Sequence, residues 1–254
     1  MIQLKNVTYS YNHQPLIQDM DVTFEKGKVT AIIGPNGCGK STLLKLACRL
    51  LRPQKGNVFL EDQEIGTFKG RTFARKVSVL LQNNPIPDMT VERAVLSGRY
   101  PYQSPFKTYG QEDRTITEYA MKVTGCHSLR YKNMHQLSGG ERQRAFLAMR
   151  LAQDTPVIFL DEPTTYLDIN VSYEMMELLR EQNQKLGKTI VMVLHDMTLA
   201  LNYADYIILM ENGKIKACNS VLDDELHHCI GEIFHVKIQS FSETDRSQFY
   251  FVKR

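Results

Sequence analysis

The 254-residue sequence has no tryptophan, only five cysteines, and no apolar run longer than a strand. Without a run of about 20 apolar residues it has no candidate membrane-spanning helix, and the start MIQLKN does not resemble a signal peptide. The cysteines are odd in number and lack the spacing of a metal site or a CxxC pair, which favours a reducing compartment over a disulfide framework. If a membrane is involved, we expect a partner to provide the contact.

The sequence also lacks an excess of either charge. It has 31 Lys and Arg against 28 Asp and Glu, and the two signs are interleaved. This pattern argues against nucleic acid as a partner. With 43% hydrophobic residues, the chain is long enough for one α/β domain with an inserted helical lobe.

The most informative segment that is present reads LSGGERQR, at residues 137–144. Two glycines behind Ser138 leave backbone N–H groups uncovered where a helix is predicted to begin, which is how proteins present donors to a phosphate. Ser138 is also a good N-cap. Taken alone, the segment is equally compatible with an ordinary capped amphipathic helix.

A second motif, GPNGCGKS at 34–41, fits the phosphate-loop pattern GxxxxGK[ST]. A strand is predicted before it at 29–33. A helix is predicted after it, because apolar residues recur at helical spacing until Pro53. These apolar residues are Leu43, Leu44, Leu46, Ala47, Leu50 and Leu51.

The glycines of this loop let the backbone fold around an anion without side chains in the way. Lys40 supplies a point charge for the outer phosphates, and the Ser41 hydroxyl can bind Mg²⁺. The motif therefore predicts nucleotide binding.

With both motifs in place, the chain resembles the nucleotide-binding subunit of an ABC transporter, whose motifs it carries in the family's order. The resemblance implies the P-loop NTPase fold of the ABC ATPases: an α/β fold with a mixed sheet core, an N-terminal antiparallel β-subdomain and an inserted helical lobe. It also implies ATP hydrolysis, with ATP and Mg²⁺ as cofactors. The predicted ATP contacts of the loop are Gly34, Pro35, Asn36, Gly37, Cys38, Gly39, Lys40, Ser41 and Thr42.

The family places an aromatic ring under the adenine, and Tyr11 occupies that place. Tyr9 is close enough to compete for this role. The structural alternative is that both tyrosines occupy alternate positions on an edge strand of the N-terminal sheet.

The resemblance also assigns catalytic roles. Gln82, which follows a predicted strand, matches the glutamine that contacts Mg²⁺ and the attacking water. Asp161 is expected at the carboxyl end of its strand, holding Mg²⁺ through water. Glu162 is the candidate base, and His195 matches the histidine that contacts the γ-phosphate. The magnesium set is therefore Ser41, Gln82 and Asp161.

In this family two subunits stand head to tail and enclose two ATP molecules, which implies that the chain works with a second copy of itself. The residues expected to contact the ATP of the other subunit are Leu137, Ser138, Gly139, Gly140, Glu141 and Asp168. Tyr166 stands where many relatives have a small residue, which makes it a poor candidate for a catalytic role.

Along the chain we expect a single ABC ATPase domain over 1–254. Residues 1–82 would form the β-subdomain and the first half of the nucleotide core, and 84–136 the helical lobe. The second half of the core would span 137–218, and a short C-terminal extension 219–254.

Cys38 differs from the other cysteines because it lies inside the phosphate loop. Backbone N–H groups and Lys40 nearby predict a lowered thiol pKa. On this basis, alkylation of Cys38 is expected to block ATP binding.

Three segments, GRTFARKVSVLLQ, MTVERAVLSGRYPY and the stretch 138–169, resemble the subgroup that powers bacterial uptake of iron(III) siderophores. Vitamin B12 and haem importers are its near neighbours. The resemblance implies two integral membrane permease subunits, an extracytoplasmic substrate-binding protein, and a peripheral location on the cytoplasmic face of the membrane. SGRYPY would lie in the groove for the permease, although Tyr100 and Tyr102 would equally suit packing within the lobe.

Two other classes of protein fit less well. A soluble ABC ATPase of translation or DNA repair normally has tandem cassettes or a long coiled-coil insertion, and neither fits in 254 residues. A P-loop kinase would explain GPNGCGKS, but it would leave LSGGERQR, Glu162 and His195 without a function.

Overall fold

The computed structural model of the chain describes residues 1–12, 14–104, 108–165, 167–243 and 246–253. Tyr166 therefore lies outside the described residues. The chain divides into two compact units, one formed by Met1–Thr67 with Thr189–Arg254 and the other by Phe68–Lys188. None of the described helices combines the length and the apolar character needed to cross a bilayer.

The described strands are, in chain order, β1 (Ile2–Tyr11), β2 (Gln14–Phe24), β3 (Val29–Ile33), β4 (Lys55–Leu60), β5 (Gln63–Glu64), β6 (Val77–Leu80), β7 (Val157–Asp161), β8 (Thr189–Val193), β9 (Tyr206–Glu211), β10 (Lys214–Ser220), β11 (Val236–Glu243) and β12 (Arg246–Lys253). The described α-helices are α1 (Lys40–Ala47), α2 (Gly70–Ala74), α3 (Val91–Ser97), α4 (Gln111–Val123), α5 (Gly139–Ala152), α6 (Ile169–Leu186), α7 (Met197–Tyr203) and α8 (Asp224–Phe234).

The N-terminal sheet of the first unit has the strand order β2-β1-β4-β5. Strand β1 is antiparallel to both β2 and β4, and its alternating apolar residues Ile2, Leu4 and Val7 are buried. The predicted antiparallel β-subdomain is confirmed. The interpretation of β1 as an edge strand is wrong, because β4 pairs with it as far as Thr8.

The second sheet of this unit has the order β10-β9-β3-β8. Strand β3 is parallel to β8 and β9, whereas β10 is antiparallel to β9, so the sheet is mixed as predicted. Every residue of β3 and β8 is buried. Their continuous apolar sequences are typical of strands that are covered on both faces, and α1 packs on β8 while α7 packs on β3.

Helix α1 is shorter than the apolar spacing predicted. It ends at Ala47 rather than continuing to the residues before Pro53. Arg49 adopts a left-handed φ of 63°, and the N–H groups of Leu50 and Leu51 both donate to the carbonyl oxygen of Lys45. The last two apolar residues of the pattern therefore belong to a tight turn, and Leu50 is half exposed.

The chain reverses between β9 and β10 at the dipeptide Asn212-Gly213. Both Asn212 and Gly213 have positive φ, which a tight hairpin turn requires. The N–H of Gly213 donates to the carbonyl oxygen of Cys38 at 3.1 Å. The turn thereby supports the loop that carries the phosphate motif.

The end of the chain forms α8 and the hairpin of β11 and β12. This hairpin packs on α7. The side chain of Asn202 in α7 bonds both backbone groups of Phe249: its Nδ2 donates to the carbonyl and its Oδ1 accepts from the N–H.

In the second unit β6 and β7 are parallel, and helices α3 and α4, which lie within the predicted lobe 84–136, pack on each other and on α5, which was predicted as part of the core. Arg99 is buried between these helices, where it pairs with Asp113 at 2.9 Å and donates to the carbonyl oxygen of Ala152. The Arg99 guanidinium lies over the ring of Tyr102. Tyr102 therefore packs within the lobe, whereas Tyr100 is 60% exposed.

Replacing Gly213 by alanine should lower the free energy of unfolding by at least about 2 kcal/mol. A Cβ at this position would overlap the carbonyl oxygen of Leu16, and φ is 75°. Gly187 also has a left-handed φ, but its Cβ would meet nothing within 4 Å. Gly187→Ala therefore measures conformational strain alone, about 1 kcal/mol. Denaturant unfolding of the two variants tests this difference, and equal losses would contradict it.

Candidate functional site

The phosphate loop joins the end of β3 to the start of α1, in the order that the motif predicted. Gly34 has a φ of 152°, and a Cβ there would overlap the carbonyl oxygen of Met210 in β9. Only glycine lets the backbone pass this close to the sheet. Asn36 and Gly37 form the exposed tip of the loop, where N–H groups at a helix start suit an anion.

Lys40 begins α1 and is only 5% exposed. Its Nζ donates hydrogen bonds to the carbonyl oxygens of Gly34 at 2.8 Å and Pro35 at 2.9 Å. These contacts hold the ammonium against the loop. Ser41 and Thr42 follow in the first turn, Ser41 half-buried and Thr42 buried.

Cys38 does not have the lowered pKa that its position in the loop suggested. The thiol is buried, and burial raises its pKa above the ordinary value, while the nearby Lys40 ammonium offsets this only in part. Desolvation of a thiolate therefore outweighs the attraction of one cation. The expectation of a lowered Cys38 pKa is wrong, because a sequence shows the neighbouring charge but not the burial.

The two candidate aromatic rings lie side by side on β1. The ring centroids of Tyr9 and Tyr11 are 4.9 Å apart, in an edge-to-face arrangement. Tyr11 is 43% exposed and Tyr9 is half-buried. Tyr11 therefore presents more ring surface for stacking, and Tyr9 supports it from the side.

His195 leaves the sheet beside the end of β3. The N–H of Leu194 donates to the carbonyl oxygen of Ile32 at 3.2 Å, and His195 follows as an exposed residue. The Asp196 carboxylate caps α7 by accepting from the N–H groups of Thr198 and Leu199. Because β3 and β8 are parallel, His195 and the phosphate loop lie at the same edge of this sheet.

The second unit brings together Gln82 and the carboxylates that follow β7. Strands β6 and β7 run in parallel register, so their carboxyl ends meet at one edge. Asp161 is 2% exposed at the end of β7. The side chain of Gln82 donates to Oε2 of Glu162 at 2.6 Å. This contact joins two of the three predicted catalytic residues.

Glu162 is buried, and its backbone has a left-handed φ of 54°. Such a conformation is uncommon for a residue with a side chain and is found where the surroundings impose it. Thr165 supplies part of these surroundings: its hydroxyl donates to Oε2 of Glu162 at 3.1 Å, and its N–H donates to the Glu162 carbonyl at 3.3 Å. No motif in the sequence pointed to Thr165.

The segment LSGGERQR forms the start of α5 as predicted, with Ser138 as N-cap. The Ser138 hydroxyl accepts from the N–H of Glu141 at 3.3 Å, and the Glu141 carboxylate accepts from the N–H of Ser138 at 2.8 Å. The hydrogen bonds from Ser138 hold the pKa of the Glu141 carboxyl below its usual range. Gly139 is exposed, with nothing within 4 Å of the position of a Cβ.

Leu137 and Asp168, which were also predicted to contact the ATP of the other subunit, differ in exposure. Leu137 is buried, and its carbonyl oxygen accepts a hydrogen bond from the Arg142 guanidinium at 2.8 Å. Leu137 therefore anchors the segment. Asp168 is exposed at the N-cap of α6, where no hydrogen bond caps the helix from its side chain. Its carboxylate is free of that capping role.

Each unit, taken by itself, carries oxygen donors that suit a magnesium ion. The first unit has the Ser41 hydroxyl, and the second has the Gln82 amide and the buried Asp161 carboxylate. Oxygen donors of these kinds are the ligands that Mg²⁺ prefers.

Comparison with known proteins agrees with this geometry. A family model described as ABC transporter matches residues 17–165. The petrobactin import ATP-binding protein FpuD of Bacillus anthracis is 40% identical over 242 residues, which are 94% of this chain and 88% of that protein. The ferric enterobactin transport ATP-binding protein FepC of Escherichia coli is 42% identical over 214 residues, 84% of this chain and 79% of that protein.

Solved structures show the same fold. A dimeric ATP-binding cassette bound to ADP and Pi has a TM-score of 0.78 at 28% identity, covering 87% of this chain and 99% of that one. An inward-facing metal-chelate type ABC transporter has a TM-score of 0.83 at 24% identity, covering 99% and 96%. The predicted fold class is confirmed.

Because Cys38 is buried and its pKa is raised, we expect iodoacetamide at pH 7.5 to alkylate it at least about tenfold more slowly than the half-buried Cys229. Burial limits access of the reagent to the thiol, and the raised pKa lowers the fraction of reactive thiolate. Mass spectrometry of the two peptides over time measures both rates. Equal rates, or faster reaction at Cys38, would restore the original expectation.

Proposed function

The chain belongs to the ABC transporter family as an ATP-hydrolysing subunit, and we propose that it energises a bacterial importer of iron(III)–siderophore complexes. The observation that carries the cargo assignment is its identity of 40% and 42% with the petrobactin and ferric enterobactin subunits over most of each chain. The proposal also covers the roles of the site residues, the magnesium ion and the partners.

In this proposal the phosphate loop binds the nucleotide. Backbone N–H groups of the residues from Gly34 to Thr42, except Pro35, which has none, contact the phosphate oxygens, and Tyr11 stacks on the adenine. Lys40, which is already held at the loop by the Gly34 and Pro35 carbonyls, exchanges them for the outer phosphates. The arrangement favours binding because the ammonium is positioned before the ligand arrives.

Ser41, Gln82 and Asp161 would hold Mg²⁺, which supplies positive charge that neutralises the phosphates during transfer. Glu162 orients the attacking water and accepts its proton. His195 donates a hydrogen bond to the γ-phosphate and stabilises the charge that develops there.

The hydrogen bond between Gln82 and Glu162 supports a link between magnesium binding and the base. Nε2 of Gln82 lies 2.6 Å from Oε2 of Glu162. A movement of Gln82 therefore changes the hydrogen bond to the carboxylate that accepts the proton. Gln82 would thereby report to the membrane partner whether the water is in place.

A second copy of the chain completes each ATP site. Leu137, Ser138, Gly139, Gly140, Glu141 and Asp168 form the part that faces the other subunit's nucleotide. The exposed glycine at the start of α5 and the exposed Asp168 support this assignment.

We further infer that the dimer binds two integral membrane permease subunits on the cytoplasmic face of the bacterial membrane. An extracytoplasmic binding protein would deliver the siderophore. The exposed Tyr100 beside the packed Tyr102 supports a permease contact at SGRYPY. The whole of 1–254 would act as one ATPase domain.

Replacing Glu162 by glutamine should lower kcat for ATP hydrolysis by at least about 100-fold, because the amide cannot accept the proton. ATP binding should persist, and a stable ATP-bound dimer should accumulate. Lys40→Ala is the matched control, since it should abolish binding and dimer formation together. Turnover by phosphate release and dimer mass by light scattering measure these effects; normal turnover in the glutamine variant would remove Glu162 as the base.

The cargo is tested in proteoliposomes that contain the chain with the permease subunits and binding protein that copurify with it. We expect uptake of an iron(III)–siderophore that requires ATP and disappears with Lys40→Ala. Uptake of vitamin B12 or haem in its place would assign one of those cargoes. If the chain copurifies from detergent-solubilised membranes with no membrane protein, it is a soluble ABC ATPase.

A further inference from the structure

The helix that begins with LSGGERQR is tied to the loop that carries Glu162. Within the second unit, Nε2 of Gln143 in α5 donates a hydrogen bond to the carbonyl oxygen of Pro163 at 2.9 Å. Pro163 directly follows Glu162, and its side chain is buried. This hydrogen bond therefore holds the backbone directly beside Glu162.

Packing leaves this loop open on one side. A cavity of about 430 Å³ lies within the unit, and its lining includes Gln82, Gly139, Gln143, Glu162 and Thr165. A loop that faces a cavity is not held there by close-packed side chains. Gln143, which also lines this cavity, joins the helix to the loop through its hydrogen bond to the Pro163 carbonyl.

The loop also needs support because of its backbone conformation. Glu162 has a left-handed φ of 54°, which the neighbouring contacts must maintain. Thr165 acts from within the loop, through its bonds to the Glu162 carbonyl and carboxylate. Gln143 lies in α5, outside the loop, so its hydrogen bond holds the backbone beside Glu162 in place relative to that helix.

That helix is the one with the uncovered N-terminus. Gln143 lies one helical turn after Gly139 and on the same face of α5, since residues four apart are neighbours. Gly140 in the same turn faces Leu167, whose Cδ2 would lie 3.7 Å from a Cβ at that glycine. The second turn of α5 thus contacts the loop through Gln143, and its first turn lies beside Leu167.

We propose that Gln143 is a positioning residue, which fixes the backbone of Glu162 relative to the first turn of α5. The inference rests on the proposed function, in which Glu162 is the base and Gly139 faces the nucleotide of the other subunit. When the start of α5 engages that nucleotide, the hydrogen bond carries the displacement to Glu162 of its own subunit. Each ATP would then influence the base of the opposite site.

The test replaces Gln143 by methionine, which keeps the length and flexibility of the side chain but cannot donate. We expect kcat for ATP hydrolysis to fall at least about fivefold, because a hydrogen bond is lost and the base is misplaced. KM should change less than about twofold, since no phosphate contact is lost. Gln143→Lys restores an N–H donor on an unbranched chain and should recover most of kcat.

Gln153→Met is the matched control. Gln153 follows α5 at its other end, and its Nε2 also donates to backbone carbonyls, those of Ala74 and Val77. Its loss should lower the thermal midpoint while leaving kcat of the folded protein unchanged. An equal fall in kcat in both variants would show that Gln143 is merely structural.

A second measurement separates an effect on ATP hydrolysis from an effect on formation of the ATP-bound dimer. In the Glu162→Gln background, Gln143→Met should still form the ATP-bound dimer with unchanged ATP dependence, and loss of that dimer would overturn the inference. An unchanged kcat for Gln143→Met would also overturn the inference, provided that Lys40→Ala abolishes turnover of the otherwise unaltered chain. If the unaltered chain shows no turnover that depends on Lys40, the proposed function itself fails.

Discussion

In the proposed function, α1 and α5 must each begin with backbone N–H groups that a phosphate can reach, and much of the structure around each of these two helix starts follows from this requirement. A side chain in front of these donors would exclude the phosphate, so glycine occupies the approach to each helix. At the phosphate loop the requirement extends to the sheet, because Gly34 passes directly against the Met210 carbonyl. The β9–β10 turn then supports the loop through the bond from Gly213 to Cys38.

A second constraint is the burial of charge. Lys40, Asp161 and Glu162 are all at least nine-tenths buried, and an ionised group out of water is costly unless other polar groups contact it. Lys40 is satisfied by carbonyls of its own loop, and Glu162 accepts from Gln82 and Thr165. The same hydrogen bonds that offset desolvation also fix where the charges stand before nucleotide arrives, which is the arrangement that electrostatic catalysis requires.

The sequence predicted those parts of the fold that depend on local chemistry. The strand, loop and helix around GPNGCGKS, the Ser138 cap and the strand that ends at Asp161 each follow from residues close in the chain. Features that depend on contacts between distant segments were predicted wrongly or not at all. The pairing of β1 with β4, the early end of α1 and the raised pKa of Cys38 all depend on what packs against those residues. Gln143 and Thr165 were missed for the same reason, because no short motif shows that an amide of one helix reaches a carbonyl beside the base.

These two constraints meet in α5. In the proposed function its first turn receives a nucleotide, and its next turn contacts the loop that holds the buried Glu162. The backbone hydrogen bonds of an α-helix join each turn to the next. Under the proposal, a displacement of Gly139 therefore also displaces Gln143. In a pair of such subunits the proposed base of one site would then be attached to the donor segment of the other, and the two sites would adopt their geometries together.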